Sequence, residues 1–256
     1  MDPANREVRQ EVKQKSVVPS TKCRAGIPRL FEFLKTSELR IRSALTCAEG
    51  QWFDSTRHVD TAGYIVLDQL TLAGSSQSGN DYLAVRPSVA RQALARLPEP
   101  NYQEYTFVDL GSGKGRMLLI AAEYPFRKIQ GVEFAVQLHR EAEQNIIRYR
   151  HRGRRCRDIR SINMDAVEYM FPDGNLVLYL YNPFGPEVMK KVFANLEKAI
   201  ARTPRHVVVI MVNPEFGWVA DSMPSLRLYY GTRRFRIYQT ANALAEAPPS
   251  GKSQTA

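Results

Sequence analysis

Two rhythms divide the chain. Up to about residue 100, apolar positions return at helical spacing. In IPRLFEFLKTSELRIRSAL, Leu30, Phe33, Leu34, Ile41 and Leu45 predict one or two amphipathic helices. FDSTRHVDTAGYIVLDQLTLAG reads as an irregular segment with a short apolar stretch, and SSQSGN as a loop by composition. PSVARQALARL is a helix opened by Pro87 and Ser88 and stopped by Pro98. After Pro100, short apolar runs alternate with helix-length amphipathic stretches. Runs at 106–110, 128–133, 159–164, 176–181 and 207–212 read as strands. Between them, helices are expected at 116–123, 136–149, 186–201 and, as a short one, 166–170. Strands joined by helix-length crossovers form a mostly parallel sheet with helices on both faces. SLRLYYGTRRFRIYQ differs: two strands around a two-residue turn predict an antiparallel hairpin at one edge. The expected organisation is an α/β protein with a helical N-terminal cap at 26–100 and a sheet domain at 101–240. The polar stretches 1–25 and 241–256 lack apolar periodicity and read as disordered tails.

Composition changes this picture little. Hydrophobic residues at 44% and charged residues at 24% are ordinary for a globular chain. Runs such as VVVIMV and LVLYLY fall far short of the roughly 20 apolar residues of a membrane helix. The first residues, MDPANREVRQEVKQKS, are too charged for a signal peptide, so a cytoplasmic location is expected. Cys23, Cys47 and Cys156 form no CxxC pair, which argues against a zinc site or a disulfide framework. The net charge of +10 is partly local, since RYRHRGRRCRDIR carries seven arginines against one acid. That run is either a solvated loop or a docking patch for nucleic acid or acidic lipid. Alternation places it at the amino ends of the strands, opposite any crevice at their carboxyl ends.

The chemistry concentrates in FVDLGSGKGRMLLI. A buried strand leads into a helix through Gly111, Gly113 and Gly115, and glycines serve where the chain turns with unusual torsions or comes close to a ligand. A dinucleotide fingerprint would need a glycine where Arg116 stands. Asp109 would repel a pyrophosphate and attract an ammonium or a sulfonium. Glu133 ends the next strand in GVEF, where a carboxylate can accept both hydroxyls of a ribose. Asp165 follows the third strand in INMDA, beside the place of a base, although an aspartate there also caps the helix it precedes.

VDLGSGKGR, GVE, MDA and YNPFG, in that order, resemble the class I S-adenosylmethionine-dependent methyltransferases, a seven-stranded Rossmann-like family. The resemblance covers roughly residues 100–240. It implies S-adenosyl-L-methionine as cofactor, with Asp109 and Gly111 near the methionine moiety, Gly113 letting the chain pass close to the cofactor, and Ser112 and Gly115 among the cofactor-binding residues. It also implies Glu133 and Phe134 at the ribose, and Met164, Asp165 and Ala166 around the adenine. LYLYNPFG ends the fourth strand, where Asn182, Pro183 and Phe184 would position the acceptor. Asn182 precedes a proline, which favours an extended backbone. NPF is a shortened form of the (N/D/S)PP(Y/F) motif of enzymes that methylate planar or amide-like nitrogens, having one proline for two. The DLGSG core with its upstream helical segment also resembles the non-SET lysine methyltransferases. A lysine acceptor would need deprotonation, for which Tyr64, Tyr82, Tyr181, Asp60 and His58 are candidates. FDSTRHVDTAGYIVL resembles the lid stretch of small bacterial methyltransferases with NPFG, which gives Asp60, Thr61, Gly63 and Tyr82 a place over the cofactor.

The expected activity is therefore methyl transfer to a nucleophile, with nitrogen favoured and the acceptor a protein lysine or a small molecule. A nucleic acid base methyltransferase and a catalytically silent binding module stand as alternatives.

Overall fold

The computed structural model describes residues 37–72, 79–98 and 101–241, with side chains from residue 47 onward. The tail expected at 1–25, all but Ala241 of the tail expected at 241–256, and Leu30, Phe33 and Leu34 lie outside the described residues. In chain order the elements are α1 (Ser37–Arg57), β1 (Tyr64–Ile65), β2 (Tyr82–Leu83), α2 (Pro87–Leu94), β3 (Tyr105–Leu110), α3 (Arg116–Ala121), β4 (Lys128–Glu133) and α4 (Val136–Arg148). There follow β5 (Ile159–Asn163), β6 (Asn175–Tyr181), α5 (Pro186–Arg202), β7 (Val207–Val212), α6 (Gly217–Asp221), β8 (Leu226–Gly231) and β9 (Phe235–Thr240).

The strand runs that are apolar on both faces take the centre. All six residues of β3 and all six of β7 are buried, as strands covered by helices on both sides must be. The sheet order is β5-β4-β3-β6-β7-β9-β8; β3 to β7 are parallel and β9 runs antiparallel to both β7 and β8. Side chains alternate between two cores. Phe107, Tyr179, Ile210 and Ile237 face a layer with Phe53, Ala90, Leu94 and Leu118 from the cap and α3. Val108, Leu178, Val209 and Tyr238 face Val192, Phe193 and Leu196 of α5.

Several expectations need correction. α1 runs on through Phe53–Arg57, which had read as irregular. The Ser55 and Thr56 hydroxyls donate back to the Trp52 carbonyl at 3.1 and 2.7 Å, so loop-type residues are absorbed into the helix. Residues 166–170 form turns rather than a helix. The cap is not purely helical, since β1 and β2 make a two-stranded antiparallel ribbon. The hairpin turn is longer than two residues: β8 ends at Gly231, β9 begins at Phe235, and the register shifts between Leu228 and Tyr230. Cys47 is disulfide-bonded rather than a reduced thiol, whereas Cys156 is free and buried. Among the described residues no helix is long and apolar enough to cross a membrane, and no metal-binding cluster occurs.

Candidate active site

The carboxyl ends of β3 and β4 place Asp109 and Glu133 on adjacent strands beside the glycine loop. Gly111, Gly113 and Gly115 all have positive φ (78°, 53° and 85°), a region other residues enter at a cost. The loop folds back onto β4, where the N–H groups of Gly111 and Ser112 donate to the Val132 carbonyl at 2.9 and 3.1 Å. Each glycine has its own neighbour. A side chain on Gly113 would strike the Tyr82 ring, one on Gly111 would strike Pro183, and one on Gly115 would crowd Ala142 of α4. Gly115 therefore serves helix packing. The Ser112 hydroxyl points at Gly131 of β4 and is buried without a partner. Lys114, fully buried, sets its Nζ 2.7 Å from Glu141 of α4.

Glu133 is held by backbone. Its Oε2 accepts from the Gly113 N–H at 2.7 Å and its Oε1 from the Ala135 N–H at 2.9 Å. Burial pushes its carboxyl up to about 7 against the lowering effect of those N–H groups. Asp109 is 3% exposed and its carboxylate has no hydrogen bond or ion pair among the described residues. Burial, and then the nearby Glu133, raise it well above the usual carboxylate range. The cations nearest in sequence are engaged elsewhere. Lys114 pairs with Glu141, and Arg116 reaches the Thr61 hydroxyl at 2.7 Å and Asp54 at 3.5 Å. The two neighbouring buried acids therefore form no ion pair with a cation among the described residues.

Asp165 takes the capping part expected of it. Its Oδ1 accepts from the Val167 N–H at 2.9 Å and caps the turn that follows, while Oδ2 has no hydrogen bond among the described residues. With Met164, Ala166, Phe134, Phe184 and Gly111 it lines a cleft of about 10 Å³, room for little more than one water.

Two short stretches of the cap border this cleft, 71–72 on one side and a Gly79–Asn80 strap on the other. Thr71 accepts from the Val136 N–H at 2.9 Å and Leu72 bridges Ala135 on one side. On the other side Gly79 bridges Phe184 and Asn80 donates twice, from its N–H to the Pro183 carbonyl (3.2 Å) and from Nδ2 to the Asn182 carbonyl (2.6 Å). Gly79 packs on the Phe134 ring. Tyr82 lies against Gly113, its hydroxyl donating to the Thr61 carbonyl at 2.6 Å.

Thr61 is not at the cleft. It is fully buried in a hub where Asp54 accepts from its hydroxyl (2.5 Å), from its N–H (2.8 Å) and from the Ala62 N–H (2.7 Å). Asn182 is not extended as its proline neighbour suggested: its φ is 42°, and its Nδ2 donates to Glu215 at 2.9 Å. His58 also has positive φ and ends α1 in solvent, and Tyr64 is bonded to Asp81. Sequence reasoning missed Asp54, Asn80, Asn145 and Glu215. None stands in a motif; the sequence marked Asn80 only as the end of a loop by composition. Asn145 ties the cap to the glycine loop, donating to the carbonyls of Asp60 (2.8 Å) and Lys114 (2.9 Å).

This strand order, with the last strand reversed and inserted before the edge, is that of the class I methyltransferase fold, as expected from the sequence. Neither a protein-family model nor a curated protein sequence matches the chain. Similar solved structures include an RNA methyltransferase from Salinibacter ruber in complex with S-adenosyl-L-homocysteine, at 18% identity over 67% of this chain and 100% of that one, with a TM-score of 0.43. Another is magnesium protoporphyrin IX methyltransferase from Synechocystis with bound S-adenosylmethionine, at 13% identity over 60% and 77%, TM-score 0.43. A predicted N6-adenine-specific DNA methylase from Listeria monocytogenes is similar at 15% identity over 61% and 51%, TM-score 0.45. Each is a distant likeness, and the acids and glycines of the crevice bear the functional weight.

Proposed function

We propose that the chain is an S-adenosylmethionine-dependent methyltransferase. The observation that carries this reading is the buried, unpartnered Asp109 carboxylate beside Glu133 on a loop of three positive-φ glycines. A neutral or anionic nucleotide would leave Asp109 uncompensated. S-adenosylmethionine would supply a cationic methyl donor whose ammonium and sulfonium complement it. Glu133, fixed by the Gly113 and Ala135 N–H groups, has the carboxylate geometry to accept from vicinal hydroxyls. Phe134, Met164 and Ala166 offer an apolar wall for a flat ring, with the free oxygen of Asp165 at its edge. The donor set fits the cofactor, which would enter past the Gly79–Asn80 strap.

For the acceptor, the carbonyls of Asn182 and Pro183 support a nitrogen that bears N–H donors, since both already take such donors from Asn80. The lysine reading loses support. The Tyr82 hydroxyl is committed to Thr61, and burial raises the phenols of Tyr82 and Tyr181, so neither is suited to deprotonate an ammonium. An amide or aromatic amine carries no such proton at neutral pH and asks only for alignment.

Calorimetry with S-adenosylhomocysteine and with NAD tests the cofactor. Tight NAD binding with none of the homocysteine nucleoside would overturn the reading. Transfer of labelled methyl into protein, nucleic acid and small-molecule fractions of a dialysed lysate, with Asp109→Ala as control, then tests the acceptor.

A further inference from the structure

A second concavity lies away from the crevice. Between the turn that closes α2 and the tip of the β8–β9 hairpin is a groove of about 540 Å³, the size of a small-ligand site. Arg96, Arg233 and Arg234 line it, and no carboxylate does among the described residues. All three are exposed, and their guanidinium groups have no ion pair or side-chain hydrogen bond among the described residues. Arginines elsewhere are neutralised: Arg57 and Arg91 share Glu123, and Arg236 holds Asp221. The groove therefore concentrates uncompensated positive charge.

It also carries a stacking column. The Tyr230 and Phe235 rings are stacked, with centroids 5.8 Å apart at 29°, and the Arg96 guanidinium lies 5.1 Å from the Tyr230 centroid. The hairpin tip that presents this column is fixed by its own bonds. Thr232 Oγ1 accepts from the N–H groups of Arg234 (3.2 Å) and Phe235 (3.1 Å), and the Thr232 N–H donates to the Phe235 carbonyl (2.8 Å).

The position matters as much as the chemistry. The Asn213 N–H, just past β7, donates to the Arg234 carbonyl at 2.8 Å, and Glu215 two residues on holds Asn182. The tip thus joins the strand ends that neighbour the acceptor corner. β9 stands two strand spacings from β6, roughly 10 Å.

We infer that this groove binds single-stranded nucleic acid, with phosphates on Arg233 and Arg234 and a base on Arg96 and the half-buried Tyr230 ring, behind which the buried Phe235 is stacked. Guanidinium forks match phosphate oxygens, and flat bases stack on guanidinium planes and aromatic rings. An acidic peptide would satisfy the charges but leave the column uncovered. A duplex keeps its base faces stacked inside and could not reach it. The site names a substrate class for the proposed methyltransferase, yet its binding is measurable without cofactor or turnover. Failure of one reading therefore leaves the other standing.

The test is fluorescence anisotropy of a short labelled oligouridylate titrated with the full chain, across about 50 to 200 mM salt. Two triple variants are compared, each removing three positive charges from exposed positions. Arg96→Ala/Arg233→Ala/Arg234→Ala strips the groove. Arg152→Ala/Arg155→Ala/Arg157→Ala strips the arginine-rich loop at the opposite ends of the strands. The groove variant is expected to lose at least tenfold in affinity and to flatten the log–log salt slope by about 1.4, from two lost phosphate contacts. The loop variant should change affinity less than threefold. Equal losses in both variants, no binding by the unaltered chain, or displacement of the oligonucleotide by polyglutamate or free uridine monophosphate at matched charge would overturn the inference.

Discussion

The N–H of Gly113 donates to the Glu133 carboxylate at 2.7 Å, so the loop after one strand is fastened to the acid that ends the next. That bond aims Glu133 before any ligand arrives, and burial sets its proton affinity near neutral pH.

A folded-state value of about 7 lies above the ordinary 4.5, so the folded chain keeps this proton to higher pH than the unfolded chain does. Stability is therefore greatest below about pH 4.5 as far as Glu133 is concerned, and falls as pH rises through 7, by about 3 kcal/mol in all. Denaturant titrations at pH 5 and pH 8 should show a smaller loss across that window for Glu133→Gln than for the unaltered chain. S-adenosylhomocysteine, whose ribose needs the ionised acid as acceptor, should bind more tightly at pH 8 than at pH 6. Calorimetry at the two values checks this.

Asp109→Asn removes a buried carboxylate that lacks a protein counter-ion. The variant is expected to be more stable by about 1 kcal/mol or more and to bind S-adenosylmethionine at least tenfold more weakly. Thermal melting and calorimetry on the same sample would show the two quantities moving in opposite directions. A fall in both would mean that the carboxylate has a structural partner.

Asn80→Ala deletes the side-chain donor that occupies the Asn182 carbonyl and leaves only the backbone bond to Pro183. One hydrogen bond is worth about 1 kcal/mol, so the strap should lift more readily and stopped-flow association of S-adenosylhomocysteine should quicken about fivefold. Unchanged association with unchanged affinity would show that entry does not pass the strap.

Arg116→Leu strips the Asp54 hub of its cation and leaves the Thr61 hydroxyl without its guanidinium donor. The expected loss is about 3 kcal/mol, a fall of roughly 10 °C in melting temperature for a chain of this size. The melting curve decides it.

The strands were legible because β-branched and aromatic runs such as VVVIMV are buried on both faces and leave little ambiguity. The site acids were legible because each stands at a strand end beside a glycine loop or a turn residue. What local pattern could not carry was anything settled by a distant partner. Asp54 and Arg116 meet across the boundary between cap and sheet, and nothing near either residue announces it. At Asn182 two local rules competed. The following proline favours extension, but asparagine tolerates the left-handed region, and the bonds to Asn80 and Glu215 decide for the latter. At 166–170 the composition suits a helix, but the Asp165 cap is followed within a few residues by Phe171 and Pro172, which leaves space for a turn alone.

The Asp54 hub also bears on modularity. The sheet closes its seven strands after residue 100 and looks self-sufficient on a topology diagram. Yet Phe53, Ala90 and Leu94 complete one of its two cores, and Arg116 at the first turn of α3 finds its carboxylate only in α1. A truncation that begins at residue 101 would keep every strand of the seven-stranded sheet and the three loop glycines, and would expose an apolar face and strand a buried guanidinium. The smallest autonomous folding unit of this chain includes its cap, and swapping caps between related sheets would require carrying Asp54, Thr61 and Arg116 together.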